Sequence, residues 1–147
     1  MDKVHVASDG SCVRNPGGPG GWGFVVVRES CGWVWEEDWG WAVRSSTPEM
    51  ELMAAVAGLE FLEVRSQVIL WSDAQWVVNC GNGVWRRRSE AMASLWFRFD
   101  RAVEGHEVEL RWVRAHTGGL DVASVLNRRA NELAEAGCVF AQGQVGW

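Results

Sequence analysis

Over its first third the chain alternates apolar and polar residues in short runs, and then the period lengthens to that of a helix. Lys3 to Ser8 is a short β-branched alternation that predicts a strand ending at Asp9. Gly10 to Gly21 is glycine-rich, and Asn15-Pro16-Gly17-Gly18-Pro19-Gly20-Gly21 within it is turn chemistry. Trp22 to Arg28 predicts a second strand and Cys31 to Val43 a third, in which Trp33, Trp35, Trp39 and Trp41 fall in phase on one face. Short connections between the three predict an antiparallel meander. From Thr47 to about Glu63, Met50, Leu52, Met53, Ala54, Val56, Ala57, Leu59 and Leu62 make a broad apolar face at helical spacing. Ser46 and Thr47 suit its N-cap, and Pro48 its first turn.

Val68 to Ser72 is a compact apolar strand that ends at Asp73, and its unbroken apolar character predicts a central, parallel position. A short helix follows from Gln75 and breaks near Gly81-Asn82-Gly83. Glu90 to Val103 predicts a helix that turns Met92, Leu95, Trp96, Phe99 and Val103 to the core. Glu107 to Val113 is the last strand, His116-Thr117-Gly118-Gly119 a loop, and Ala123 to Gly137 the last helix, with Leu126, Ala130, Leu133 and Ala134 as its stripe. There is no internal repeat and no linker, so the reading is one domain over residues 1–147.

Composition narrows the classes. About half the residues are apolar and about a fifth charged, the balance of a globular protein with a proper core. No apolar run approaches a membrane span, and Met1-Asp2-Lys3 has no signal-peptide form. Cys12, Cys31, Cys80 and Cys138 are scattered without a CxxC, which fits neither zinc nor a disulfide framework and points to a reducing, cytoplasmic setting. The net charge of −5 argues against a general nucleic-acid coat protein. The positive charge is nevertheless grouped, in Arg86-Arg87-Arg88 after Trp85 and in Arg128-Arg129. The glycines from Gly17 to Gly23 lack a following GK[ST] and read as a hairpin connection, not a phosphate loop.

The acids carry the chemistry. Asp9 and Asp73 each end an apolar strand. A lone strand-end Asp is usually a turn or cap residue. If the first and fourth strands are adjacent and parallel, however, both carboxylates emerge at the sheet end where open α/β sheets place their sites. Glu51, one turn into the intervening helix, reaches the same place. Three converging carboxylates resist joint ionisation, and hard divalent cations resolve that conflict. Oxygen-only ligation suits Mg²⁺ or Mn²⁺, and a pair of such ions is the arrangement for in-line phosphodiester hydrolysis.

At this point the chain resembles a type 1 ribonuclease H of the bacterial kind. The resemblance covers nearly its whole length. It rests on Asp9-Gly10-Ser11-Cys12 followed by Asn15-Pro16-Gly17, on Met50-Glu51-Leu52-Met53-Ala54-Ala55, on Ser72-Asp73-Ala74-Gln75, on Trp112-Val113-Arg114-Ala115-His116 and on Asn131-Glu132-Leu133-Ala134. The resemblance implies an α/β fold with a five-stranded mixed sheet, order 3-2-1-4-5, flanked by helices. It implies hydrolysis of the RNA strand of RNA/DNA hybrids with Mg²⁺ or Mn²⁺, two ions per site in the substrate complex, leaving a 5′-phosphate and a 3′-hydroxyl. Asp9, Glu51 and Asp73 become metal ligands, and His116 on its loop assists proton transfer or product release. The implied unit is a monomer with no obligate protein partner.

One departure matters. Where the family has a fourth acid in the last helix, this chain has Asn131. An amide oxygen can ligate a metal or orient a water, but it brings no charge and cannot act as a base. The expected site is therefore three acids plus an amide, active but with weaker hold on one metal. The resemblance also places Ser46 and Asn15 on a DNA phosphate, the backbone of Cys12 to Asn15 and the side chain of Gln75 in the minor groove, and Trp85 with Arg86, Arg87 and Arg88 as a reduced basic grip on the DNA strand. Thr47 stands where the family often has Asn. The alternative reading is a hybrid-binding module whose catalysis is lost or impaired through Asn131.

Overall fold

The computed structural model describes residues 1–146, with Cys31 described by its backbone alone. Among these residues the strands are β1 (Asp2–Cys12), β2 (Gly20–Arg28), β3 (Val34–Ala42), β4 (Ser66–Ser72) and β5 (Glu107–Trp112). The helices are α1 (Ser30–Trp33), α2 (Thr47–Glu60), α3 (Gln75–Gly81), α4 (Ala93–Glu104) and α5 (Val122–Gln144), with a 3₁₀ turn over Glu90–Met92 before α4. The sheet order is β3-β2-β1-β4-β5. The β1–β2 and β2–β3 pairs are antiparallel, and β1–β4 and β4–β5 are parallel, so the expected mixed sheet is present.

Alternation along β1 divides two cores. Val4 and Val6 point to one face, where Leu52, Val56, Leu59, Trp96 and Phe99 of α2 and α4 cover the sheet. Ala7 points to the other, where Leu126, Ala130 and Leu133 of α5 pack on Val25 and Val27. Helix α2 is buried on most of its circumference, which its many small and apolar residues allow. Ser46 caps it by accepting a hydrogen bond from the Glu49 N–H at 3.2 Å.

Several boundaries differ from the sequence expectation. Strand β1 continues past Asp9 to Cys12, because the hairpin register carries on from Asp9↔Gly23 to Cys12↔Gly20. The third strand starts at Val34 rather than Cys31. Gly32 and Trp33 adopt left-handed φ values of 80° and 64°, and the chain makes the short turn of helix α1 before it extends. Trp33 consequently leaves the strand, although it still stacks over His5 at 5.9 Å. Trp39 and Trp41 keep the expected phase and pack on Phe140 at 5.8 and 5.0 Å. That contact belongs to the last two turns of α5, which run beyond Gly137, where the sequence stripe stopped.

Glycines let α5 lie close on the sheet. A Cβ added at Gly21 would overlap the backbone of Ala134 and Cys138, and one at Gly137 would overlap the Gly40 carbonyl. Gly21→Ala is expected to cost about 2 kcal/mol by overpacking, because the obstructing atoms are backbone and cannot swing aside. Chemical denaturation should show this as a lower midpoint with unchanged slope. Cys12, Cys80 and Cys138 are free thiols. The side chain of Cys31 and the whole of Trp147 lie outside the described residues. Among the described residues no helix is long and apolar enough to cross a membrane.

Candidate active site

Strand pairing brings Asp9 and Asp73 together where the parallel β1–β4 ladder ends. Ala7 pairs with Trp71 in the parallel β1–β4 ladder, so Asp9 and Asp73 stand two residues further on at the same sheet end. Gly10 then admits the first turns of α2. A Cβ there would overlap the backbone of Met50 and Glu51, so a bare α-carbon at this position lets Glu51 approach Asp9. The hairpin loop secures the start of α2 from the other side. Asn15 Oδ1 accepts from the Thr47 N–H at 3.0 Å, Gly17 N–H donates to the Ser45 carbonyl at 2.7 Å, and Ser45 N–H donates to the Gly18 carbonyl at 2.8 Å.

Each carboxylate has a neutral N–H donor. Asp9, buried at 6 % exposure, accepts from the Gly10 N–H at 2.9 Å and from Asn131 Nδ2 at 2.8 Å. Glu51 accepts from the Trp76 indole at 2.7 Å. Asp73 accepts from Asn127 Nδ2 at 3.3 Å, and its backbone carbonyl accepts from the Trp112 indole at 3.1 Å. Asn131 and Asn127 are one helical turn apart on α5, so one face of that helix serves two acids.

Burial pushes the Asp9 carboxyl up to about 6, and the charge of Asp73 adds to this; the Asn131 and Gly10 hydrogen bonds and the His116 charge oppose it. Burial likewise pushes Glu51 up to about 7, with repulsion from Asp9 and Asp73, against the Trp76 hydrogen bond. These are acids held short of a counter-charge. The donor set is oxygen-only: three carboxylates and the Asn131 amide, if that amide turns its oxygen inward. Among the described residues no three His, Cys, Asp or Glu side chains are already set close enough to hold a metal ion by themselves. An open anionic cluster of this kind fits a hard cation that keeps several waters and also binds substrate phosphate, and does not fit zinc.

The other expected residues are placed around this centre. His116 is exposed on the β5–α5 connection with φ 55°, and its charge reaches Asp9. Ser46 and Asn15 meet at the start of α2, and Gln75 is exposed at the start of α3 beside Asp73. Trp85, Arg86 and Arg88 are exposed and line one open recess with Val84. Arg87 does not join them. Although it is also exposed, its guanidinium is tied back onto the protein, with Nη1 on both Asp100 oxygens at 2.8 and 2.7 Å, Nε on the Cys80 carbonyl at 3.2 Å, and its centre 4.1 Å from the Trp96 ring centre.

Sequence reading missed Asn127 and Trp76. The available signal for Asn127 was its place one turn before Asn131 on a stripe otherwise apolar. It is 3 % exposed, so its amide cannot exchange Asp73 for water. Asn127→Ala is expected to lower the rate of any chemistry at Asp73 about fivefold and to cost about 1–2 kcal/mol in stability, through the lost hydrogen bond. Asn127→Ser, which keeps a donor, should recover part of both.

Comparison with known proteins adds the following. A family profile described as RNase H matches residues 1–139. A ribonuclease H of Pseudomonas fluorescens strain Pf-5 is 38% identical, over 97% of this chain and 96% of its own. The N-terminal RNase H domain of a Mycobacterium tuberculosis protein, solved as a fusion with maltose-binding protein, superposes with a TM-score of 0.84 at 22% identity, covering 99% of each chain. LC11-RNase H1, solved in complex with an RNA/DNA hybrid, superposes with a TM-score of 0.78 at 18% identity, over 94% of this chain and 98% of that one.

Proposed function

From a chain that belongs to the RNase H family, we propose an endoribonuclease that cuts the RNA strand of an RNA/DNA hybrid and leaves a 5′-phosphate and a 3′-hydroxyl. One observation carries this reading: Asp9, Glu51 and Asp73 converge at one end of the sheet, where burial first, and their mutual repulsion second, raise the proton affinity of Asp9 and Glu51. A pure binding module has no use for such a cluster. Two Mg²⁺ or Mn²⁺ ions held by Asp9, Glu51, Asp73 and Asn131 would supply an activated water and a stabilised leaving oxygen.

The chain's own residues prepare that chemistry. Asp9 and Glu51 would give up their protons in favour of a bound cation, because burial and mutual repulsion make the doubly ionised state costly without one. Asn131 and Asn127 hold Asp9 and Asp73 in fixed orientation. His116, free on its loop, takes or carries the proton exchanged at the scissile phosphate. Ser46 and Asn15 bind a DNA phosphate. The Cys12–Asn15 backbone and Gln75 sense groove width and 2′-hydroxyls, so recognition follows shape rather than sequence. Trp85, Arg86 and Arg88 add a stacking face and two cations for the DNA strand.

The test is cleavage of an end-labelled hybrid beside duplex RNA, duplex DNA and single-stranded RNA, with Mg²⁺ and Mn²⁺ titrated separately. Cleavage confined to the hybrid is the expected result. Tight hybrid binding without cleavage under either metal would turn the reading to the binding module, with Asn131 as its cause.

A further inference from the structure

We propose that Trp76 is the positioning residue for Glu51, and that Arg87 acts on the reaction through it rather than by gripping substrate. The inference rests on Glu51 being an acid of the site. Glu51 carries three side-chain torsions and is fixed by one hydrogen bond, 2.7 Å from the Trp76 indole nitrogen. A donor this short on a carboxylate is charge-assisted and defines where the second oxygen points.

Trp76 is itself held from behind. Its ring meets that of buried Trp96 edge-on, at 6.2 Å and 88°. Trp96 is clasped in turn by the Arg87 guanidinium on its face and by Phe99 at 5.1 Å and 82°. Arg87 is locked there by Asp100 and the Cys80 carbonyl. The side chains therefore form one continuous series from the 85–88 segment to Glu51: Arg87, Trp96, Trp76, Glu51. Arg86 and Arg88, exposed on the same segment, have no place in it. Neighbouring arginines thus do different work: the outer two meet phosphate and the inner one supports the site.

The indole N–H is the separable element, since phenylalanine fills much of the same space without it. Trp76→Phe is expected to lower kcat about tenfold with KM for hybrid within about twofold, and Trp76→His, which restores a ring N–H, to recover part of the loss. Arg87→Ala should lower kcat about threefold at unchanged KM, whereas Arg86→Ala should raise KM at nearly unchanged kcat. A kcat for Trp76→Phe within about twofold of the parent, or an Arg87→Ala effect confined to KM, would overturn the proposal. In cation-free protein, the Trp76 indole N–H resonance in a ¹H–¹⁵N spectrum should move on Glu51→Gln and on Arg87→Ala. That readout decides the matter even if Trp76→Phe fails to fold, and a resonance unmoved by Glu51→Gln refutes the hydrogen bond. Glu51→Gln also separates the two readings. If it leaves cleavage intact, the assignment of the site itself fails; if it abolishes cleavage while Trp76→Phe changes nothing, only this inference does.

Discussion

Asp9→Asn is expected to lose hybrid cleavage by on the order of 10³-fold and, in cation-free buffer at neutral pH, to unfold at a higher temperature than the parent chain. The two effects have one origin. Folding raises the Asp9 carboxyl from its ordinary 3.8 to about 6. Below about pH 4 the acid is protonated in both states and costs nothing. Between about pH 4 and 6 the unfolded chain gives up a proton that the folded chain keeps, so stability falls as the pH rises through that window. Above it the penalty stands in full, at most about 3 kcal/mol.

An amide of the same shape removes the charge, and the Asn131 side chain can turn over to accept from it. The expected net gain is about 1–2 kcal/mol at pH 7.5, or roughly 3–6 °C, vanishing near pH 4. Thermal unfolding at the two pH values, beside the cleavage assay, checks both effects. A variant destabilised equally at both pH values would show that ionised Asp9 is not the costly state.

Asn131→Asp is expected to make folding depend on divalent cation. The present amide donates to Asp9 at 2.8 Å. An aspartate there replaces a donor with a fourth negative charge against a buried acid, at a cost of about 3 kcal/mol in cation-free buffer at pH 8. Millimolar Mg²⁺ should restore the loss, because the added charge strengthens cation binding. The Mg²⁺ concentration for half-maximal cleavage should fall about tenfold, in line with the dependence of such sites on ligand charge. Unchanged stability in EDTA together with an unchanged Mg²⁺ requirement would remove position 131 from the charge balance of the site. On this view the amide exchanges cation affinity for a fold that tolerates the cation's absence.

Residues whose role depends on local pattern were legible without the fold. The approach of Asp9 to Asp73, the capped helix carrying Glu51, and the order of strands and helices all follow from period, turn chemistry and motif spacing, although β1 itself runs on past Asp9. Side-chain period is a property of neighbouring residues, and a parallel strand pair joined through a helix then places both acids at one end.

Boundaries slipped where tertiary contact overrode local preference. Gly32 and Trp33 turn left-handed before β3, and α5 runs on past Gly137 because Phe140 finds Trp39 and Trp41 on the sheet. Gly21 and Gly137, read from sequence as a turn residue and a helix end, instead give the helix room to sit on the sheet.

By itself, then, the sequence determined which acids meet at one end of the sheet and in what order the elements follow. Only the tertiary structure decided their partners. Asn127 reaches Asp73 across 54 positions and Trp76 reaches Glu51 across 25. The place of Asn127 on an apolar stripe marks it as unusual, but nothing local to it, or to a tryptophan beside a core, names the partner. Arg87 reads like its two neighbours until folding lays it on Trp96 and against Asp100. The physical reason is range. Backbone propensity and patterning act over a few residues, whereas a hydrogen bond to a buried carboxylate requires two segments already packed, and packing is a property of the whole chain.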